Sequence, residues 1–147
     1  MQVELRSAAF DPFAEIDAYQ KQRLAPGKYG ATGIFIGSLR DFSGDATVES
    51  LYLEHYPEMT QEHLQQICAG ATEKWSLIDG LVLHRVGQVE MAEAIVLVAV
   101  WAAHRGDAMD ACRFIIEDLK HSAPFWKKER LQEGTRWVEN NTDGYTR

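Results

Sequence analysis

The sequence predicts an α+β fold, with two main helices packed on a mixed, largely antiparallel sheet. Three observations carry this expectation. Strand patterns fall in adjacent runs rather than alternating strictly with helices, which argues against a doubly wound parallel sheet. The run AIVLVAVW from Ala94 to Trp101 is almost wholly apolar, as a central strand buried on both faces requires. Two further stretches place their apolar residues at helical spacing: Leu64, Ile67, Cys68, Ala71 and Trp75, then Ala108, Cys112, Ile115, Ile116 and Leu119.

In chain order, Val3–Leu5 is a candidate first strand. Asp11-Pro12 opens a short helix, with Asp as N-cap and Pro at the first helical position. Phe13, Ala14 and Ile16 are expected to form its apolar side. Pro26-Gly27 breaks the chain, and Gly30–Leu39 reads as a strand. Asp41–Ala46 is polar, turn-forming and expected to be mobile. Val48–Tyr56 alternates: Leu51, Leu53 and His55 point one way, Tyr52, Glu54 and Tyr56 the other, which predicts a strand covered on both sides. Thr60 is the expected cap of the first main helix, with Met59 stapled to Leu64. Leu81–Val89 and Ala94–Trp101 are read as two strands. His104-Arg105-Gly106-Asp107 opens the second main helix, and Pro124 ends it. Phe125–Glu129 leaves extended, and Arg136–Val138 is a last short strand before a polar tail at about 139–147.

The chain has 147 residues, enough for one domain with its own core, so 1–147 is read as a single unit. Fifteen Lys and Arg against 22 Asp and Glu leave a formal net charge of −7. So acidic a chain is a poor general binder of nucleic acid or anionic membrane. Any anion site must be a local cluster of cations. The two cysteines, Cys68 and Cys112, form no CxxC pair and lie on apolar stripes, where they read as small buried hydrophobes. The five histidines show no metal-ligand spacing, and His84 reads as a satisfied strand histidine. No metal and no cofactor is expected. No basic segment precedes an apolar run at the start, so the expected location is the cytoplasm.

The unusual feature is a set of cations at element ends. Arg40 follows a strand. His104 and Arg105 precede a helix, whose N-terminus offers unpaired N–H groups to an anion. Lys120 lies at the end of that helix, and Lys127 and Lys128 follow beside Phe125 and Trp126. Each has a plain structural reading: an Arg40–Asp41 surface pair, a His104 helix cap, a Lys120 favourable to the helix dipole, a solvated lysine run. Trp126 reads more readily as core than as pocket wall. Together, cations flanked by aromatics in an acidic chain point to an anionic ligand.

An ordered set of motifs is recognisable. It comprises Ile36-Gly37-Ser38-Leu39-Arg40-Asp41, Leu53-Glu54-His55-Tyr56-Pro57-Glu58-Met59, His84-Arg85-Val86-Gly87, Ala103-His104-Arg105, and Leu119-Lys120 with Ala123-Pro124-Phe125-Trp126-Lys127-Lys128-Glu129. The set resembles the MoaE family, the large catalytic subunits of molybdopterin synthases, from roughly Gly33 to Val138. The resemblance implies an α/β hammerhead-like fold with an added antiparallel sheet, and a homodimer. Each copy would bind a small ubiquitin-like sulfur-carrier subunit of the MoaD type ending in Gly-Gly, giving a heterotetramer. The implied reaction is a sulfurtransferase step: the carrier's thiocarboxylate delivers sulfur to cyclic pyranopterin monophosphate, forming the molybdopterin dithiolene of molybdenum cofactor biosynthesis. Carried over by position, Lys120 and Lys127 are the implied catalytic residues. Arg40, His104, Arg105, Lys120, Lys127, Lys128 and Glu129 are the implied substrate-binding residues. Gly37-Ser38-Leu39-Arg40 departs from the family's Gly-Thr/Lys-Val-Arg in its middle pair and keeps the arginine. The alternative reading is a non-catalytic module holding an acidic carrier tail or a phosphorylated ligand; turnover separates the two. A phosphate-transferring enzyme would need a metal or a Walker-type loop, and the sequence has no such loop.

Overall fold

The computed structural model describes residues 1–43, 46–132, 134–138 and 144. Among the described residues, three helices, α1 (Pro12–Arg23), α2 (Pro57–Trp75) and α3 (Arg105–Ser122), accompany two sheets. The first sheet has the order β1 (Gln2–Arg6), β5 (Asp79–Arg85), β7 (Ala94–Ala102), β2 (Ala31–Ser38). β1 runs parallel to β5 and the other neighbours are antiparallel, so this sheet is mixed. The second sheet is antiparallel. β4 (Ala46–His55) pairs with β8 (Phe125–Leu131), which pairs with β9 (Gly134–Val138). β3 (Phe42–Ser43) and β6 (Gly87–Glu90) also pair with β4. The architecture is α+β, as the sequence predicts.

β7 is central and buried on both faces, as its composition requires. Val96, Val98 and Val100 pack under α2 and α3, while Leu97, Ala99 and Trp101 face α1. Burial of each large apolar side chain contributes about 1.5–3 kcal/mol. Trp101 stacks on Tyr19 of α1 at 5.4 Å and donates its Nε1–H to Gln20 at 3.3 Å, which ties α1 to the sheet. α3 runs back along β2 in close contact. A Cβ on Gly33 would lie 2.5 Å from the Ala108 carbonyl oxygen and 3.2 Å from Cys112 Cβ. Only a glycine admits the helix this near. Because β2 is antiparallel to β7, the end of α3, the end of β2 and the start of β7 all meet at one end of the sheet. Cys68 and Cys112 are buried free thiols, as expected, and burial pushes them up to about 12 and about 11.

Several expectations are corrected. Asp11 caps α1 as predicted, accepting from Phe13 N at 3.0 Å and Ala14 N at 3.3 Å. Its buried side, however, is Ile16 and Tyr19, while Phe13 and Ala14 are exposed. α2 begins at Pro57 rather than after Thr60, because proline at N1 needs no N–H partner. Thr60 is a buried interior residue and Met59 is exposed, so there is no staple. Leu81–Val89 is not one strand. Gly87, at φ +77°, breaks it and sends β6 to the other sheet. β4 buries Leu51 and Leu53 but leaves Tyr52, Glu54 and Tyr56 exposed, so within one chain it is covered on one side only. Asp41–Ala46 is in part a strand, since Phe42 and Ser43 pair with Thr47 and Ala46. Gly44 and Asp45 of that stretch, and nearly all of the polar tail at 139–147, lie outside the described residues.

Candidate functional site

Lys120 occupies the last turn of α3 and Lys127 the third position of β8. The chain between them is folded by three local effects. The Ala123 N–H closes the helix on the Leu119 carbonyl at 3.1 Å. Pro124 forbids the preceding residue the α conformation, and Ala123 is extended. The Phe125 N–H then reaches back to the Ala123 carbonyl at 2.9 Å, a three-residue turn. The Thr60 hydroxyl donates to the Pro124 carbonyl at 3.3 Å and ties this turn to α2. Strand alternation places Phe125, Lys127 and Glu129 on one face. Lys127 is thereby brought back against Lys120.

The two amines share a cavity of about 20 Å³ with His84, Leu119, Ala123 and Phe125. Each amine acts on the protonation of the other, and the pairing favours loss of the proton from Lys127. Only an amine that has lost its proton can accept from a neighbouring ammonium. Burial supplies the reason. It lowers the Lys127 amine to about 8, helped by the charge of Lys120. It also lowers Lys120, with Arg40 contributing in the same direction. The Arg40 guanidinium is exposed and lies over the Phe42 ring at 4.9 Å, and its charge reaches Lys120. Of the expected site residues, Lys120 and Lys127 share the cavity, and Arg40 acts on Lys120 through its charge.

His84 is the residue that sequence reasoning placed in the core without a role at the site. It is buried, as expected for a satisfied strand histidine, with Nδ1 2.7 Å from the Arg85 carbonyl. A carbonyl only accepts, so Nδ1 carries the proton. Its ring stacks on Phe125 at 4.0 Å and 12°, and burial pushes it down to about 3, so the ring is neutral. His84 and Phe125 form an apolar, uncharged wall beside two lysines. Only the pairing of β5 with β7 and the return of β8 bring them there, so no local sequence signal announces it.

The remaining expected residues divide. Glu129 shares Lys127's face, is buried, and accepts from Arg136 Nε at 2.9 Å; its charge also favours the ammonium form of Lys127. Lys128 does not join the lysine pair. Adjacent strand residues point to opposite faces, and Lys128 lies over the Trp137 ring at 5.6 Å on the far side. Trp126 is not core and does not line the lysine cavity; it lines a separate concavity with Tyr56 and Trp137. It is 44% exposed and meets Tyr56 edge-on at 5.1 Å. His104 and Arg105 are exposed at the other end of α3. Fifteen residues of helix separate Arg105 from Lys120, about 22 Å, so one chain cannot bring them together. His104 makes no side-chain cap hydrogen bond at that terminus. A larger concavity of about 540 Å³ lies on the exposed face of the second sheet, lined by Tyr52, Lys128, Arg130 and Trp137 among others. It holds neither amine of the pair. Among the described residues no group of three His, Cys, Asp or Glu is placed to hold a metal, and no helix is long and apolar enough to cross a membrane.

The family model for the MoaE protein matches residues 8–122. The chain belongs to the MoaE family. The molybdopterin synthase catalytic subunit of Pseudomonas aeruginosa is 45% identical over 139 residues, covering 95% of this MoaE chain and 91% of its relative. The crystal structure of molybdopterin synthase from Staphylococcus aureus superposes with a TM-score of 0.83 at 29% identity, over 94% of this chain and 97% of that one. A complex of subunits 1 and 2 of molybdopterin-converting factor from Helicobacter pylori shares the fold, with a TM-score of 0.79 at 21% identity over 95% and 92% of the two chains.

Proposed function

We propose that this MoaE chain is the catalytic subunit of a molybdopterin synthase. It moves sulfur from the thiocarboxylated C-terminus of a small ubiquitin-like carrier ending in Gly-Gly to cyclic pyranopterin monophosphate. The product is the dithiolene of molybdopterin, a step in molybdenum cofactor biosynthesis. The names of its relatives support this reading, and the buried lysine pair carries its chemistry.

A thiocarboxylate is an anion, and the pair's ammonium attracts it into a cavity with room for a single small group. The pterin ring is too large for that space and would lie outside it, with its phosphate on Arg40. The sulfur adds to an electrophilic carbon of the pterin, whose bond to oxygen breaks; the oxygen takes the electron pair and a proton and departs, and a thioester-like link joins carrier and pterin. Water must then cleave that link, leaving sulfur on the ring and a carboxylate on the carrier. The neutral amine of the pair takes the proton released from water. The ammonium polarises the carbonyl under attack, which assigns Lys120 and Lys127 complementary roles. Glu129, held by Arg136, steadies the charge on Lys127.

The carrier subunit is a separate chain. Subunit partnership within molybdopterin-converting factor of the Helicobacter pylori kind supports it. The 22 Å along α3 supports a homodimer: His104 and Arg105 would serve the lysine site of a second copy, at a helix N-terminus suited to phosphate. Residues 1–147 act as one unit, and the cytoplasm is the proposed location.

The test is to mix the purified chain with its thiocarboxylated carrier and the cyclic pterin. Wild type forms molybdopterin, and Lys120→Ala loses at least ~10²-fold in rate with its fold intact. Retention of carrier and pterin without product would make the chain a binding module instead. A wild-type rate in Lys120→Ala would remove that residue from the mechanism.

A further inference from the structure

Arg85 sits at the end of β5, 3% exposed, and the chemistry above does not use it. Its side chain points away from His84's cavity and toward the turn that joins β6 to β7. Nη2 donates to the Gln88 carbonyl at 2.6 Å, and Nη1 meets the Glu93 carboxylate at 3.3 Å. The same Glu93 oxygen accepts from the Glu90 N–H at 2.7 Å, and the Glu93 N–H returns to the Glu90 carbonyl at 3.1 Å. The Glu93 carboxyl is held below its ordinary range, first by the Glu90 amide and then by Arg85. One buried guanidinium thus closes the whole of 88–93.

That turn has a second grip. The Leu39 N–H donates to the Glu93 carbonyl at 3.0 Å, and the Ala92 N–H donates to the Leu39 carbonyl at 2.9 Å. Leu39 is buried, and the next residue is Arg40. Ala92 has φ +68°, a left-handed conformation that a residue with a Cβ adopts only when its surroundings hold it. β2 itself has lost regular register by then, with a shift between Gly37 and Ser38. The backbone before Arg40 is therefore fixed by the turn rather than by the sheet ladder.

We propose that Arg85 is a positioning residue for Arg40: it clamps the 88–93 turn, whose backbone holds Leu39 and so fixes the point from which the Arg40 side chain leaves the fold. The inference rests on the proposed reaction only for its kinetic consequence; the clamp itself can be read without turnover. A further feature favours a role beyond stability. Arg85 Nε is buried with no hydrogen-bond partner, a cost that an apolar side chain of similar length would not incur.

The experiment compares wild type with Arg85→Met, which fills the same volume, and Glu93→Ala, which cuts the clamp from its more exposed side. In amide hydrogen exchange, Leu39 and Ala92 exchange at least about tenfold faster in both variants, while Val98 in the core strand keeps its protection. In the sulfur-transfer assay, Arg85→Met raises KM for the cyclic pterin about tenfold and leaves kcat within about twofold, the pattern expected of Arg40→Ala. The double variant Arg40→Ala/Arg85→Met is no worse than Arg40→Ala alone, because one residue acts through the other. Unchanged exchange at Leu39 and Ala92 in both variants would overturn the clamp. Faster exchange with an unchanged KM, or KM effects that multiply in the double variant, would overturn its link to Arg40. A wild-type chain that makes no product would count against the proposed reaction, and the exchange data would still decide the clamp.

Discussion

The two ends of α3 hold cations in opposite settings. At its start, His104 and Arg105 stand exposed beside free backbone N–H groups. At its end, Lys120 is folded against Lys127 and closed in by His84 and Phe125. Both ends attract anions, but only at the buried end does burial push lysines below their ordinary value. An exposed arginine keeps its charge and offers a fork of donors, which suits phosphate. A buried lysine beside another cation loses charge readily, which suits proton transfer. The contrast teaches that binding and chemistry here are divided by burial, along a single helix whose length keeps them apart within one chain.

The largest effect that would sharpen this contrast is at the buried end. Loss of the Lys120 amine is expected to cost at least ~10²-fold in product formation, whereas its removal leaves carrier binding measurable by titration. The exposed end is next. Arg105→Ala is expected to lose about tenfold or more in product formation, since a charge-assisted phosphate contact is worth roughly 1.5–3 kcal/mol. If the site is divided between two copies as proposed, mixing refolded Arg105→Ala with Lys120→Ala recovers activity, approaching about a quarter of the wild-type sites, because a mixed symmetric dimer holds one intact combination. No recovery on mixing would break the division of one site between two copies.

Stability should move the other way. The Lys127 amine is lowered from 10.5 to about 8 in the fold. Its favourable contribution is complete above 10.5 and is lost as pH falls through about 8, so at neutral pH the native state carries the cost of a buried charge. Lys127→Met should therefore be more stable than wild type at pH 7 by about 2 kcal/mol, discounted for partial solvent access, with the gain shrinking toward pH 10.5. Urea midpoints at the two pH values check this. The smallest effect belongs to Lys128. On the far face of β8, its replacement by alanine should change kcat/KM by less than about twofold, within the range of surface substitutions.

Much of the fold is written in local patterns. The apolar run of β7, the stripes of α2 and α3 and the Asp11-Pro12 start are each decided by residues a few positions apart. Local patterns mislead where one signal has a rival. Gly87 sits inside an alternating run, and only its positive φ shows that β5 and β6 belong to different sheets. Pro57 and Thr60 both mark helix starts, and the proline prevails. For the site, family likeness points to Arg40, Lys120 and Lys127, and the structure puts the two lysines in one cavity. The separation of Lys128 from Lys127 follows from strand alternation and was available in the sequence. The distance of His104 and Arg105 from Lys120 follows from helix length. The wall of His84 and Phe125 joins residues some 40 positions apart, and the grip of the 88–93 turn on Leu39 joins residues more than 50 apart, although the contacts of Arg85 itself are local. No periodicity reports that.

At the centre of the mechanism stands a pair of buried lysines in a confined cavity, each acting on the protonation of the other. Titration of the Lys120 and Lys127 side-chain amines by nuclear magnetic resonance reads this directly. The account predicts that Lys127 loses its proton near pH 8, and that in Lys120→Ala its midpoint rises without reaching 10.5, because burial persists when the neighbouring charge is gone. Two independent lysines, both titrating near 10.5 and indifferent to each other's removal, would contradict it.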